Sequence, residues 1–412
     1  MSPGADADQI DHQSEVREAR RALLAGFLGW TLDAFDFFLV VLCASAIAKD
    51  FNSQVEDIML SLTITLAFRP VGAFFFGLLA DRYGRRLPLM LDLVFYSIVE
   101  VLSGLAPNLT TFLILRALFG IGMGGEWGVG ASLAMEKASP RWRGLLSGVL
   151  QEGYAVGNLL ASFCFFFVYP TFGWRVLFFI GGLPALLALF VRFGIKESTV
   201  WEKTRHHTWG GLRRALVSNW KLFLFLVALM AMMNFCSHGT QDLYPTFLKN
   251  AHGMSPRPLA LLNAFTMVGA VSGGIVFGML SDRIGRRRAI VLALVLGLAV
   301  VPMWAFARNA ATLWAGGFLI QFMVQGAWGV IPAHITELAP DSVRGFLPGF
   351  AYQCGVLIAG TAPTIQARLV ARHHVSYASV MAATAFTVFA LTAIVAGLGR
   401  EKSGRIFGVT PA

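Results

Sequence analysis

The sequence predicts an all-α integral membrane protein whose twelve transmembrane helices form two pseudo-symmetric six-helix bundles. Three observations carry that prediction. The 412 residues are 56% hydrophobic and only 14% charged, with a mean hydropathy of +0.65, a balance foreign to soluble domains. Apolar stretches of about 20 residues, enough to cross a hydrocarbon core about 30 Å thick, recur from end to end. The second half of the chain also repeats the first at a constant offset of 201 residues.

Taken in order, the first six spans are expected at about 22–48, 55–80, 87–106, 109–136, 143–169 and 173–193. The second six follow at about 221–248, 256–281, 288–306, 309–336, 343–370 and 376–398. The chain then divides into an N-terminal tail (1–21), a first bundle (22–195), a linker (196–220), a second bundle (221–399) and a C-terminal tail (400–412). With 1–21 on the cytoplasmic side, most of the 33 Lys and Arg fall on that side too, which predicts that both termini are cytoplasmic. The net charge of +10 and pI near 9.8 are therefore read as topology and attraction to the inner leaflet. No basic face interleaved with aromatics exists, so nucleic acid is excluded as a partner. The N-terminus lacks the basic start, short apolar core and small-residue cleavage site of a signal peptide, and the first span is expected to insert the chain. Cys43, Cys164, Cys236 and Cys354 all lie in apolar segments without metal-ligand spacing, which suits core packing.

The repeat is clearest in the loops. "GLLADRYGRR" at 77–86 returns as "GMLSDRIGRR" at 278–287, and "GEWG" at 125–128 meets "GAWG" at 326–329. Topology alone would explain arginines here. It would not explain a duplicated Asp with, in each copy, a Glu 55 residues on and an Arg seven further. Asp81, Arg85, Glu136 and Arg143, with Asp282, Arg286, Glu337 and Arg344, are read as a cytoplasmic gate whose ion pairs hold one conformation shut and break in the other.

Charges at membrane depth each need a reason, because one costs at least about 2.5–3.5 kcal/mol on insertion scales. Arg69 lies twelve residues before Asp81, about 18 Å along its helix and close to mid-membrane. It either sits in a structural ion pair or lines a central cavity and clasps an anionic substrate, and we prefer the second. Glu100 and Arg116 lie at matching depths in neighbouring spans and are read as a buried ion pair. Applying the offset, Asp33, Asp36, Arg69, Glu100, Arg116, Glu126 and Glu152 fall on Asn234, Ser237, Ala270, Val301, Gly317, Ala327 and Gln353, so the first half is the charged one. Five ionised acids against two arginines would bury a large net negative charge, so at least one acid is expected to carry a proton. Asp33, Asp36, Glu126 and Glu152 are the candidates for proton coupling. In the second half, Asn234, His238, Gln241 and Asp242 stand at i, i+4, i+7 and i+8 and share one helical face, the wall of a wet cavity; His238 with Asp242 is a second-half alternative for the proton.

The duplicated loops resemble the signature loops of the major facilitator superfamily, and the resemblance covers essentially all of the chain beyond residue 21. It implies a twelve-helix carrier working by alternating access. Arg116 in "RALFGIGMGG" resembles a fourth-helix motif of proton-coupled members. The string from Asn234 through Ser237, His238, Thr240, Gln241 and Asp242 to Thr246 is similar to the seventh-helix signature of the sialate and monocarboxylate proton symporters, fungal lactate permeases included. That similarity implies that Asn234, His238, Gln241 and Asp242 shape the substrate path. It also implies that Arg69 and Gln353 stand where that family binds the carboxylate and sets preference. Sialic acid carriers of that family add a helix pair between the halves, whereas 196–221 is short and polar here, which favours lactate or pyruvate over sialic, sugar or aromatic acids.

An intramembrane enzyme built on His238 and Asp242 would need a thiolate or second His at ligand spacing, and none stands there. A non-transporting sensor would be expected to carry a soluble output domain. The expected partners are therefore a small carboxylate, a proton and the lipid bilayer, with no cofactor and no metal, in a monomer of a bacterial inner membrane.

Overall fold

The computed structural model describes residues 3–205, 208–373 and 375–409. Among them the regular structure is helical, with no strand. In the first half the helices are α1 (Pro3–Asp50), α2 (Val55–Tyr83), α3 (Arg86–Gly104), α4 (Leu109–Lys137), α5 (Arg143–Gln151), α6 (Gly153–Ile180) and α7 (Pro184–Gly194). Two short helices, α8 (Thr199–Thr204) and α9 (Trp209–Ser218), occupy the linker. The second half comprises α10 (Trp220–Gln241), α11 (Tyr244–His252), α12 (Pro256–Ile284), α13 (Arg286–Ala305), α14 (Ala310–Leu338), α15 (Leu347–Ala359), α16 (Ala362–His373) and α17 (Tyr377–Leu398).

Ten of these stretches are each apolar and long enough to span a bilayer. One of them, Arg143–Val191, has 49 residues, about 74 Å of helix at 1.5 Å per residue, twice what one crossing needs. It turns back at Gly173, whose φ of +74° is open to glycine and strained for other residues. Together with α15 and α16, which make one crossing interrupted at Gly360, this gives twelve spans, the number predicted. Residues 1–21 were separated as a tail, yet α1 is already helical from Pro3.

Apolar faces hold the bundles together only where helices can approach, and glycine sets that approach in both halves. Gly72 packs against the backbone of Ile121, and its repeat mate Gly273 against that of Phe322. Gly120 and Gly124, one turn apart on α4, lie against the backbones of Thr65 and Arg69 on α2. Small residues at such spacing let backbones touch in lipid, where dispersion replaces the hydrophobic drive. Asn108 and Asn309, also repeat mates, cap α4 and α14 by accepting from Thr111 and Thr312 amides at 2.9 Å.

The two bundles meet along α2, α4 and α5 on one side and α12, α14 and α15 on the other. At the seam Gly128 lies against Gly349, and Gly148 and Gly329 both lie against Gly274. The contact is made towards the face that carries the duplicated loops and the C-terminal segment, here called the loop face.

Candidate functional site

Arg69 is carried into the bundle by α2 and is only 4% exposed. Its guanidinium carbon is 5.9 Å from the Trp30 ring and 5.8 Å from the Tyr352 ring. Trp30 (α1) also meets Trp127 (α4) and stacks on Tyr154 (α6), while Tyr352 (α15) meets Trp127 at 4.3 Å and Trp328 (α14) at 5.8 Å. The ring edges are fixed by their own bonds: Trp30 Nε1 donates to the Gln151 carbonyl at 3.2 Å and Trp328 Nε1 to Ser237 Oγ at 2.7 Å. Rings offset part of the cost of burying the cation, about 0.5–2 kcal/mol per contact. Nε and Nη2 of Arg69 have no hydrogen-bond acceptor in the protein. A planar fork with free donors can make two parallel hydrogen bonds to a carboxylate.

Around this box the second half supplies the polar groups, though not as one stripe. His238 Nδ1 and Asp242 Oδ2 pair at 2.9 Å, with side chains 26% and 36% exposed. Gln241 turns the other way and donates to Gln321 Oε1 at 2.7 Å. Asn234 is buried and donates to the Met230 carbonyl of its own helix at 2.8 Å. The wall of four predicted on one face is thus divided, because α10 ends at Gln241 and its last turn packs on α14 and α16. Gln353, expected with Arg69 at the carboxylate position, is fully buried with neither polar atom of its amide hydrogen-bonded, and its neighbour Tyr352 is the side chain beside the guanidinium.

Inside the first bundle Asp33, Asp36, Glu126 and Glu152 are buried, each with at least one carboxylate oxygen that has no hydrogen-bond partner. Glu152 sits at the junction of α5 and α6 with its carboxylate against Gly274 of the opposite bundle. Glu100 is in an ion pair with Arg116, which also donates to Ser103 Oγ. Sequence reading overlooked Asp92, a further buried acid on α3, although it stands one turn from Tyr96 and two from Glu100 on the same face. The aromatic box was also missed, since its five rings come from five helices.

At the loop face the gate residues come together in two matching sets. Asp81 caps the start of α15, accepting from the amides of Gly345 at 2.7 Å and Phe346 at 3.0 Å. Asp282 does the same for α5, accepting from Gly144 at 2.8 Å and Leu145 at 3.0 Å. Each caps a helix of the opposite bundle, where the helix dipole favours a negative charge. Glu136 is shared by Arg85 of its own half at 3.1 Å and Arg344 of the other at 3.4 Å. Glu337 is shared by Arg286 at 3.0 Å and Arg143 at 3.1 Å. Glu197 and Glu401 close the outer side by accepting from backbone amides at the starts of α3 and α13.

The C-terminal segment is part of this lock. Phe407 inserts its ring between the guanidinium groups of Arg143, 3.9 Å away, and Arg344, 3.7 Å away. Arg405 donates to Asp341 at 2.7 Å, and its carbonyl accepts from Arg143 at 2.8 Å. One ring thereby bridges arginines of both bundles. Phe407→Ala is expected to release about 0.5–2 kcal/mol per cation–ring contact and shift the population several-fold towards opening at the loop face. Spin-label distances across that face would measure it, and an unchanged distribution would show that the ring carries no gating energy.

Two helical bundles in a membrane, a cation at their centre and a duplicated ion-pair lock on one face define a rocker-type carrier. Residues 26–363 and 241–406 match the Major Facilitator Superfamily, and the chain belongs to that superfamily. It is a transporter and not an enzyme. It is 29% identical to a carboxylic acid transporter protein homolog of Saccharomyces cerevisiae, over 92% of this chain and 68% of that one. It is 28% identical to the sialic acid transporter NanX of Escherichia coli, over 95% and 96% of the two chains. With a probable 4-methylmuconolactone transporter of Cupriavidus pinatubonensis it shares 30% identity over 96% and 95%. Among solved structures, the proton:xylose symporter XylE superposes with a TM-score of 0.76 at 19% identity, over 95% of this chain and 98% of that one, a likeness of fold alone.

Proposed function

We propose that the protein is a proton-coupled symporter of a small monocarboxylate such as lactate or pyruvate, working by alternating access. The observation that carries this reading is Arg69, a buried guanidinium with two nitrogens lacking acceptors inside an aromatic box. Similarity to a carboxylic acid transporter homolog supports an anionic cargo. The unpartnered acids of the first bundle support a proton as the coupled ion. On this reading the loop face is cytoplasmic, the membrane is a bacterial inner membrane, and the monomer is the working unit with residues 22–195 and 221–399 as its rocking bodies. The locked gate with His238 and Asp242 accessible then corresponds to a state open to the outside.

A second reading, a larger organic acid such as a sialic or aromatic acid, is favoured by the five-ring cluster whose Trp30 and Tyr352 flank Arg69, which offers stacking surface. Chain length does not separate the two, because NanX, named for sialic acid, is covered over 96% of its length.

Purified protein in liposomes tests both readings. Labelled lactate should accumulate when only an inward proton gradient is applied, and a competitor panel should rank lactate and pyruvate above sialic and aromatic acids. The reverse ranking sinks the first reading. Accumulation that ignores the pH difference makes the protein a uniporter or anion exchanger. Gln353→Ala should alter this ranking, about two- to tenfold between lactate and longer acids, because it removes a buried amide with unsatisfied polar atoms next to Tyr352. An identical ranking would remove Gln353 from substrate selection.

A further inference from the structure

The buried face of α3 carries Asp92, Tyr96, Glu100 and Ser103, each at most 1% exposed, a polar line about 16 Å long inside the first bundle. At its outer end Glu100 and Ser103 both bond Arg116 of α4, although Glu100 Oε1 has no partner. At its inner end neither oxygen of Asp92 has a partner, and the hydroxyl of Tyr96, itself wholly buried, has none either. The groups acting electrostatically on Asp92 are Asp33 of α1 and Glu126 of α4, and those on the Tyr96 phenol are Asp33, Glu126, Asp36 and Asp92. The faces of α2, α6 and α7 packed on α3 add none among the described residues. Arg69 acts on Asp33 and Glu126, and Arg116, paired with Glu100, acts on Asp36, but neither cation acts on Asp92.

Five buried acids, Asp33, Asp36, Asp92, Glu100 and Glu126, outnumber the two guanidinium groups that act among them, Arg69 and Arg116, so they cannot all be charged, because uncompensated buried charge is prohibitive. Protons must accompany them. A hydroxyl with both donor and acceptor capacity can pass a proton between carboxyl groups that do not touch. The line runs behind the substrate box and reaches towards the loop face, since Asp92 lies six residues from the start of α3 at Arg86.

We propose that Asp92, relayed by the Tyr96 hydroxyl, is the inner proton-binding station of a path inside the first bundle. The assignment rests on the proton-symport reading. One proton binds a carboxylate oxygen of Asp92 to give the neutral acid, and its release towards the loop face restores the carboxylate.

Two measurements on purified protein test it. In an infrared pH titration, which needs no substrate, the wild type is expected to show a protonated-carboxyl band that loses amplitude in Asp92→Asn and shifts in Tyr96→Phe. In liposomes, Asp92→Asn should keep exchange of labelled for unlabelled lactate within about twofold and lose pH-driven accumulation at least about tenfold. Should Asp92→Asn fail to fold, Asp92→Glu retains a carboxyl and should move the pH midpoint of that band. An unchanged band in Asp92→Asn, or an unmoved midpoint in Asp92→Glu, overturns the proposal, as does wild-type coupling preserved in Asp92→Asn. Wild type that ignores a pH gradient but follows a sodium gradient instead overturns the symport reading beneath it.

Discussion

Arg69→Lys is expected to insert and fold normally yet lose most transport, with affinity for a carboxylate substrate falling about ten- to a hundredfold. The guanidinium can make two parallel hydrogen bonds to a carboxylate, whereas an ammonium is a point charge on a flexible stem. Losing one charge-assisted bond costs about 1.5–3 kcal/mol, and every 1.4 kcal/mol is about tenfold in affinity. The aromatic box adds to the effect, since flat faces at 5.8 and 5.9 Å suit a planar cation. Uptake of labelled acid and substrate protection against thermal unfolding measure the two parts. Near-wild-type affinity in the lysine variant would remove Arg69 from the binding site.

Gly124→Leu should destabilise the protein more than any exposed substitution and disable transport with it. A side chain at Gly124 would overlap the carbonyl of Arg69 itself, and the neighbouring contacts of Gly120 and Gly72 leave α2 no room to slide along α4. Overpacking of this kind costs about 1–3 kcal/mol or more, and here the helix that must retreat is the one that positions the guanidinium. Gly210→Leu, at a glycine with open space around it, is the matched control and should leave stability unchanged. Thermal unfolding in detergent reads the difference. Equal midpoints for the two variants would mean that the α2 and α4 contact is not rigid.

Much of the fold was legible before any coordinates, and the reason is that its main signals are one-dimensional. A bilayer converts apolar length directly into spans. Duplication writes pseudo-symmetry into the chain as a constant offset, which is why Asp81 with Asp282 and Glu136 with Glu337 could be paired on sight. The depth of Arg69 likewise follows from counting along one helix to Asp81. Less was legible at Glu152, where α5 gives way to α6 inside one continuous hydrophobic run, whereas the reversal at Gly173 falls where the expected spans 143–169 and 173–193 part.

Composition, periodicity and repeat by themselves determined that this is a helical membrane protein of two repeated halves, with buried charge in the first and duplicated charged loops in both. Tertiary structure alone decided which way each side chain turns and what it meets. Tyr352 lies beside Arg69, Gln241 bonds Gln321 of α14, Asp92 shares a buried face with Tyr96 and Glu100, and Phe407 lies between arginines of opposite bundles. Depth is a property of position along one helix. Facing depends on the rotation of that helix against its neighbours, which is set by backbone contacts such as those of Gly124 on Arg69 and Gly128 on Gly349, between residues tens to hundreds of positions apart.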